Sequence, residues 1–197
     1  MGRKHINTIT QPSESTCGPV AIKHALEVFG KKRSLPALIK LCKTSRNGTS
    51  TPNMIRALTL LGFSVLSVEK ANLHHLTSAL KSHQRKTRAV IVSYLYARDD
   101  NNKPWDGSGH WAMVSGFSPR RSRIILLDSY SGKKKSYEWQ DFRQRWKDFD
   151  LKRRKLASKP HTYKIFRKWQ KQLMLIITKD PKYLPKFSIQ TARHFST

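Results

Sequence analysis

The dominant hydrophobic period of this chain changes between its two halves, near residue 88, and that change limits the folds open to it. Before it, apolar residues recur at helical spacing. Cys17 to Phe29 carries Val20, Ala21, Ala25, Val28 and Phe29 on one side, and Gly30 ends the run. Ser34 caps a second helix with Pro36 in its first turn, and Leu38, Ile39 and Leu41 form its apolar side. "TSTPNMIRALTLLGF" repeats the pattern, with Pro52 early and Gly62 as the stop. "SVLSV" reads as a short strand and "NLHHLTSAL" as a helix capped by Asn72. After residue 88 the period is that of strands: "RAVIVSYLY", "HWAMVSGF", "RIILLDSY" and "QLMLIIT". The polar loop "DDNNKPWDGSG" and the basic turn "SPRRS" separate them. "SYEWQDFRQRWKDF" places Trp139, Phe142, Trp146 and Phe149 on one helical stripe. Helices first and antiparallel strands second predict an α+β fold, with an N-terminal helical part packed on a C-terminal antiparallel sheet.

The chain has 197 residues, enough for one core. We expect one domain over residues 1–180, with a basic insert at about 151–171, and a poorly ordered tail over 181–197 that holds Pro181 and Pro185. "MGRKHINTIT" lacks the apolar core of a secretory signal, Ile6 stands where a myristoylation signal wants Ser or Thr, and no apolar run approaches a membrane span. The expected location is cytoplasmic. In that compartment the two cysteines are free thiols, with Cys42 a core residue of "ALIKLCK".

Charge is extreme: 39 Lys and Arg stand against 12 Asp and Glu, a formal net charge of +27. From Arg143 to Lys171 there are 12 cations and 2 Asp. Such a field attracts polyanions, nucleic acid or an acidic protein, and the surface around Lys152–Lys171 is where contact is expected. There, Tyr163, Phe166 and Trp169 interleave with Lys and Arg, a pattern that serves either base stacking or the inner face of an amphipathic helix.

Chemistry concentrates at four residues. A thiol attacks an amide carbonyl as its thiolate, a form favoured at a helix N-terminus. Cys17 stands at such a terminus, with Gly18 allowing close approach and Pro19 suiting the first turn. Six residues earlier, Gln11 is placed to donate its amide to an oxyanion beside the Cys17 N–H. A thiolate needs an imidazole, and the imidazole an orienting group. His110 opens a strand after a Gly-rich loop, and Asp128 ends the next strand. A hairpin around "SPRRS" brings the two to one end. Asp99, Asp100 and Asp106 match no metal template, and His74 and His75 do not share a helical face, so no metal or other cofactor is expected.

This pattern resembles papain-like cysteine peptidases, and within them the bacteriocin-processing, double-glycine-leader group and its soluble relatives, the C39-like peptidases. The resemblance runs from Gln11 to about Phe149, through "QPSESTCGPVAIKHALEVFG", "TSRNGTSTPNMIRALTLLGFSV", "GHWAMVSGF", "IILLDSYSGK" and "SYEWQDFRQRW". It implies Cys17 as nucleophile, His110 as base and acid, Asp128 as orienter of His110 and Gln11 as oxyanion-hole donor. The implied activity is cleavage of a peptide or isopeptide bond in a peptide or protein substrate. The same site would serve an acyl or amide transferase if an amine replaced water. A different class also fits the charge: a nucleic-acid- or ribosome-associated binding protein on the same fold. The chain departs from the family at Ser129, where the family commonly has proline, in its basic insert, and in having no transporter region, so leader processing coupled to export is not expected.

Overall fold

The computed structural model describes residues 6–81, 87–155 and 162–196. The terminal residues 1–5, weighed above for targeting, and 156–161 of the basic stretch lie outside them. Helices come first: α1 (Cys17–Val28), α2 (Leu35–Leu41) and α3 (Thr51–Leu60), then α4 (Leu73–Ala79) after strand β1 (Ser64–Val68). Their ends follow from local chemistry. The Ser34 hydroxyl accepts from the Ala37 N–H, and the Asn72 side chain accepts from the His75 N–H. Beyond α1 and α3, Gly30 and Gly62 adopt φ of 67° and 80°, the left-handed turn that closes a helix.

The strands are β2 (Ala89–Leu95), β3 (Gly109–Ser118), β4 (Arg123–Asp128), β5 (Lys133–Glu138), β6 (Lys147–Lys155), β7 (Tyr163–Lys171), β8 (Met174–Thr178) and β9 (Ala192–Phe195), with α5 (Trp139–Arg145) after β5. Seven form one antiparallel sheet in the order β5-β4-β3-β2-β8-β1-β9. Both faces of this sheet are covered, and that explains its continuous apolar runs. Val65, Ile91, Met113 and Ile177 pack under α1–α3 with Ile22, Leu26, Met54 and Leu58. Their neighbours Leu66, Val92, Val114 and Ile176 pack on the other face with Leu76 of α4 and Trp139 and Phe142 of α5. Buried apolar side chains of this size each contribute about 1.5–3 kcal/mol.

Three local expectations change. The aromatic stripe is not one helix: Ser136–Glu138 belong to β5, α5 spans only Trp139–Arg145, and Lys147–Phe149 enter β6. Register with β4, from Arg123↔Glu138 to Asp128↔Lys133, claims the first part as an edge strand. The described parts of the basic stretch are not helical either. β6 and β7 form a separate two-stranded antiparallel ribbon, from Lys147↔Lys171 to Lys155↔Tyr163. The segment after Asp180 is not a loose tail throughout: β9 pairs with the outer side of β1, Val65 opposite Phe195, and Phe187 and Ile189 pack on the core. No helix among the described residues is long and apolar enough to cross a membrane.

Candidate active site

Cys17 opens α1, directly after a single 3-10 turn (Glu14–Thr16), and α1 lies on β3. Gly18 is demanded by that seat. A Cβ there would come within 2.9 Å of Thr49 Cβ and 3.0 Å of Met54 Sδ. The Thr49 loop is in turn tied to the strand of His110, since Trp111 Nε1 donates to the Thr49 carbonyl at 2.9 Å.

His110 is the second residue of β3 and Asp128 ends β4, its antiparallel partner, so the hairpin delivers both to one end of the sheet. His110 Nε2 lies 3.1 Å from Asp128 Oδ1, both side chains 2% exposed. The approach is not in line with a straight N–H···O bond, for Nε2 has no partner of that geometry. Burial opposes a charge on the imidazole, but its contacts with Asp128 and with the Cys17 side chain outweigh this and lift His110 to about 9. Asp128 responds in the opposite sense. Burial disfavours its charge, yet His110, the Ser131 hydroxyl and the Tyr130 N–H hold it at about 2. The Ser131 hydroxyl donates to Asp128 Oδ2 at 2.8 Å. The rings of Tyr94 and Tyr96 stand edge-on to the imidazole, 5.7 and 5.5 Å away, and wall it from solvent.

Gln11 sits on the strap that runs over this end of the sheet. The strap is held by the Ile9 N–H, which donates to His24 Nε2 at 3.1 Å, and by the Gln11 N–H, which donates to the Ser129 carbonyl at 2.8 Å. Burial pushes His24 down to about 4, so its ring is neutral and free to accept. The Gln11 carboxamide is fixed at both ends: Ser129 Oγ donates to Oε1 at 2.7 Å, and Nε2 donates to the Ser13 carbonyl at 2.9 Å. One Nε2 hydrogen is left for another acceptor. Ser129 is the residue that replaces the family's common proline, and it is buried.

Cys17 opens onto a cleft of about 500 Å³, bounded on one side by Ser45 to Thr51 and on the other by the inner end of the ribbon. Two acids from β6 face it. Asp148 lies against Gly109, where any Cβ would strike its carboxylate, and takes a 2.5 Å hydrogen bond from Ser93 Oγ. Dense packing pushes Asp148 up to about 6, although part of its surface is open to the cleft. Asp150 accepts the Thr51 N–H at 2.9 Å, and Thr51 Oγ1 donates to Gln170 at 2.8 Å, which pins the ribbon to α3. Among the described residues, no group of three or more His, Cys, Asp or Glu is placed to hold a metal ion.

The structure thus gathers Cys17, His110 and Asp128 at one end of the sheet and fixes Gln11 beside Asp128 through Ser129. Sequence reasoning missed Asp148, Ser93, Ser129 and His24. Only Ser129 carried a local signal, as a departure at the position after Asp128.

A helix-borne cysteine against a strand-borne histidine, on an α+β sandwich of this order, defines the papain-like cysteine peptidases. The chain belongs to the peptidase C39 family, whose model matches residues 5–155, and it is a cysteine peptidase. No curated protein matches its sequence. Solved structures share its fold at low identity. The peptidase domain of Streptococcus ComA, a bifunctional ABC transporter of a quorum-sensing pathway, is 17% identical, with a TM-score of 0.61 over 89% of this chain and 100% of that one. A double-glycine-motif protease from an AMS/PCAT transporter, solved with its leader peptide, is 15% identical, with a TM-score of 0.57 over 90% and 94%. The Streptococcus mutans ComA peptidase domain is 17% identical, with a TM-score of 0.51 over 87% and 98%.

Proposed function

We propose that this protein hydrolyses a peptide bond with Cys17 as nucleophile, His110 as acid and base, Asp128 as its orienter and Gln11 as oxyanion donor. The observation that carries the proposal is the His110 imidazole, held between Asp128 at 3.1 Å and the Cys17 side chain. Raised to about 9, that ring is an imidazolium at neutral pH, ready to act as an acid.

The Cys17 thiolate attacks the substrate carbonyl carbon. The oxygen becomes an oxyanion and takes hydrogen bonds from the Cys17 N–H and the second Nε2 hydrogen of Gln11. Collapse breaks the C–N bond, and His110 gives its proton to the leaving amine. His110, now neutral, takes a proton from water, whose oxygen attacks the thioester. The C–S bond breaks, the released acid gives its proton to solvent, and the Cys17 thiolate is restored beside the His110 imidazolium. Ser129 acts through Gln11, keeping the donor end of its carboxamide toward the reacting carbonyl. A peptide substrate is further supported by the similar protease solved with its leader peptide.

Thiol alkylation tests the roles. Burial pushes Cys42 up to about 12, so iodoacetamide near pH 7 labels Cys17 and spares Cys42. His110→Ala slows that labelling, and Cys17→Ala abolishes cleavage of peptide libraries read by mass spectrometry. Slow and equal labelling of both thiols in the folded protein would overturn the assignment.

A further inference from the structure

The β6–β7 ribbon does two different things along its length. At its inner end Asp148, Asp150 and Gln170 face the cleft and α3. Its outer half has no acid. Alternation along the paired strands puts Lys152, Arg154 and Lys164 on one face, and Arg153, Lys155 and Arg167 on the other. None of these six has an ion-pair partner among the described residues. Apolar side chains are exposed between them on both faces: Phe166 on the first, Tyr163 and Ile165 on the second. Arg167 is held over the Phe149 ring at 4.6 Å, and Phe149 meets Trp169 edge-on at 5.1 Å, which stiffens the junction between the two halves.

The shape narrows what such a surface fits. A lipid membrane presents one plane, so an arm built for it would carry its cations and apolar groups on one face. This ribbon carries both on both faces. A groove of duplex nucleic acid presents phosphates to both sides of whatever enters it. The B-form major groove, about 12 Å wide, admits a two-stranded β-ribbon. The deep, narrow major groove of A-form RNA does not. At about 3.3 Å per residue, the outer five pairs span roughly 17 Å, about half a turn of B-DNA. We propose that the outer half of the β6–β7 ribbon binds duplex DNA by entering its major groove, its two cationic faces meeting phosphates on the two walls. Because the inner end of the same ribbon walls the Cys17 cleft, DNA held by its outer half runs beside that cleft.

A protein of net charge +27 attracts any polyanion, so the test must separate the arm from the general field. The probe is a 20-base-pair DNA duplex followed by fluorescence anisotropy between 50 and 200 mM salt. Lys152→Ser, Arg153→Ser, Arg154→Ser and Lys164→Ser are combined in one variant. A control combines Lys32→Ser, Arg33→Ser, Arg120→Ser and Lys134→Ser, the same charge removed from exposed sites off the ribbon. Each phosphate that the protein no longer neutralises lowers the slope of log K against log salt by about 0.9, so the ribbon variant should drop by about 3–4 in slope and on the order of 100-fold in affinity. The control should change affinity by only a few-fold. Both proteins should label at Cys17 at the wild-type rate, which shows an intact fold and separates this outcome from any failure of the peptidase assignment. Equal losses in the two variants, duplex RNA of the same sequence bound as tightly as DNA, or a preference for anionic vesicles or polyglutamate would each overturn the proposal.

Discussion

Replacing Ser129 with Ala isolates one hydrogen bond in the proposed oxyanion hole. Ser129 Oγ donates to Gln11 Oε1 at 2.7 Å, and Ser129 is buried. The Ala variant keeps the backbone bond from the Gln11 N–H to the Ser129 carbonyl and the 2.9 Å bond from Nε2 to the Ser13 carbonyl. The strap therefore stays in place while one end of the carboxamide is released. A neutral hydrogen bond contributes about 0.5–1.5 kcal/mol net, which converts to a loss of roughly 2- to 13-fold in the fraction of Gln11 held in its donating pose. Removing an oxyanion donor outright, as in Gln11→Ala, costs about 100- to 1,000-fold in kcat. Ser129→Ala should thus lower kcat by a factor between 2 and about 13 and leave KM nearly unchanged, because the interaction is made in the transition state.

Two measurements guard that inference. In the Gln11→Ala background, Ser129→Ala should cost nothing further in kcat, since its partner is gone. Alkylation of Cys17 by iodoacetamide forms no oxyanion, so the Ser129→Ala rate should equal that of the parent. Ser129 adjoins Asp128, and an effect carried through Asp128 and His110 would slow alkylation and hydrolysis together. That result, or additive losses from the two substitutions, would refute a role through Gln11.

Further expectations concern charge and packing. Asp128→Asn removes the counter-charge that offsets burial of His110, so the alkaline limb of kcat for peptide cleavage, where His110 must be protonated to serve the leaving amine and which lies near 9 in the parent, should move to lower pH; a limb that stays in place would refute the electrostatic role. The same pair stabilises the fold with a defined sign. The contribution of His110, whose pKa is raised, is complete below 6.5 and lost as pH rises through about 9, and that of Asp128, whose pKa is depressed, is complete above 3.8 and lost as pH falls through about 2. Asp148 has the opposite balance: raised from 3.8 to about 6, its charge costs stability above that pH, so Asp148→Asn should stabilise the protein by up to about 3 kcal/mol at pH 8 and little at pH 4. Denaturant titration at the two pH values checks the sign. Gly18→Ala forces a Cβ to 2.9 Å from Thr49 Cβ, an overpacking that should cost about 1–3 kcal/mol and slow alkylation by shifting the start of α1.

What the sequence disclosed depended on how local its cause was. Helix starts were legible because Ser34 and Asn72 bond to backbone groups three residues on. The approach of His110 to Asp128 was legible because a hairpin links them. The ribbon was not legible. Tyr163, Phe166 and Trp169 recur every third residue, as on a helix, and only the partner strand, which sets Trp169 opposite Phe149, makes them β. The same holds for β9, whose partner β1 lies more than a hundred residues earlier. Ser129 on Gln11 and Ser93 on Asp148 are hydrogen bonds across 118 and 55 residues, which no local pattern announces.

The scarcity of acids makes their placement informative. Of the 12 Asp and Glu in the chain, several have specific internal work. Asp128 holds His110, Asp150 fastens the ribbon to α3, and Asp141 takes Arg98 and also Arg145, the latter at 3.0 Å. Asp148 lies under Gly109 at the cleft. Acids used in this way are withdrawn from the task of neutralising the surface. The cost is mutual repulsion among the remaining cations, which two covered sheet faces and a large apolar core offset. A chain that needed only solubility would gain nothing from concentrating unpaired cations on one protruding arm. A chain that must hold a polyanion beside its cleft gains both attraction and direction, because the ribbon is negative where it meets the cleft and positive where it leaves the body.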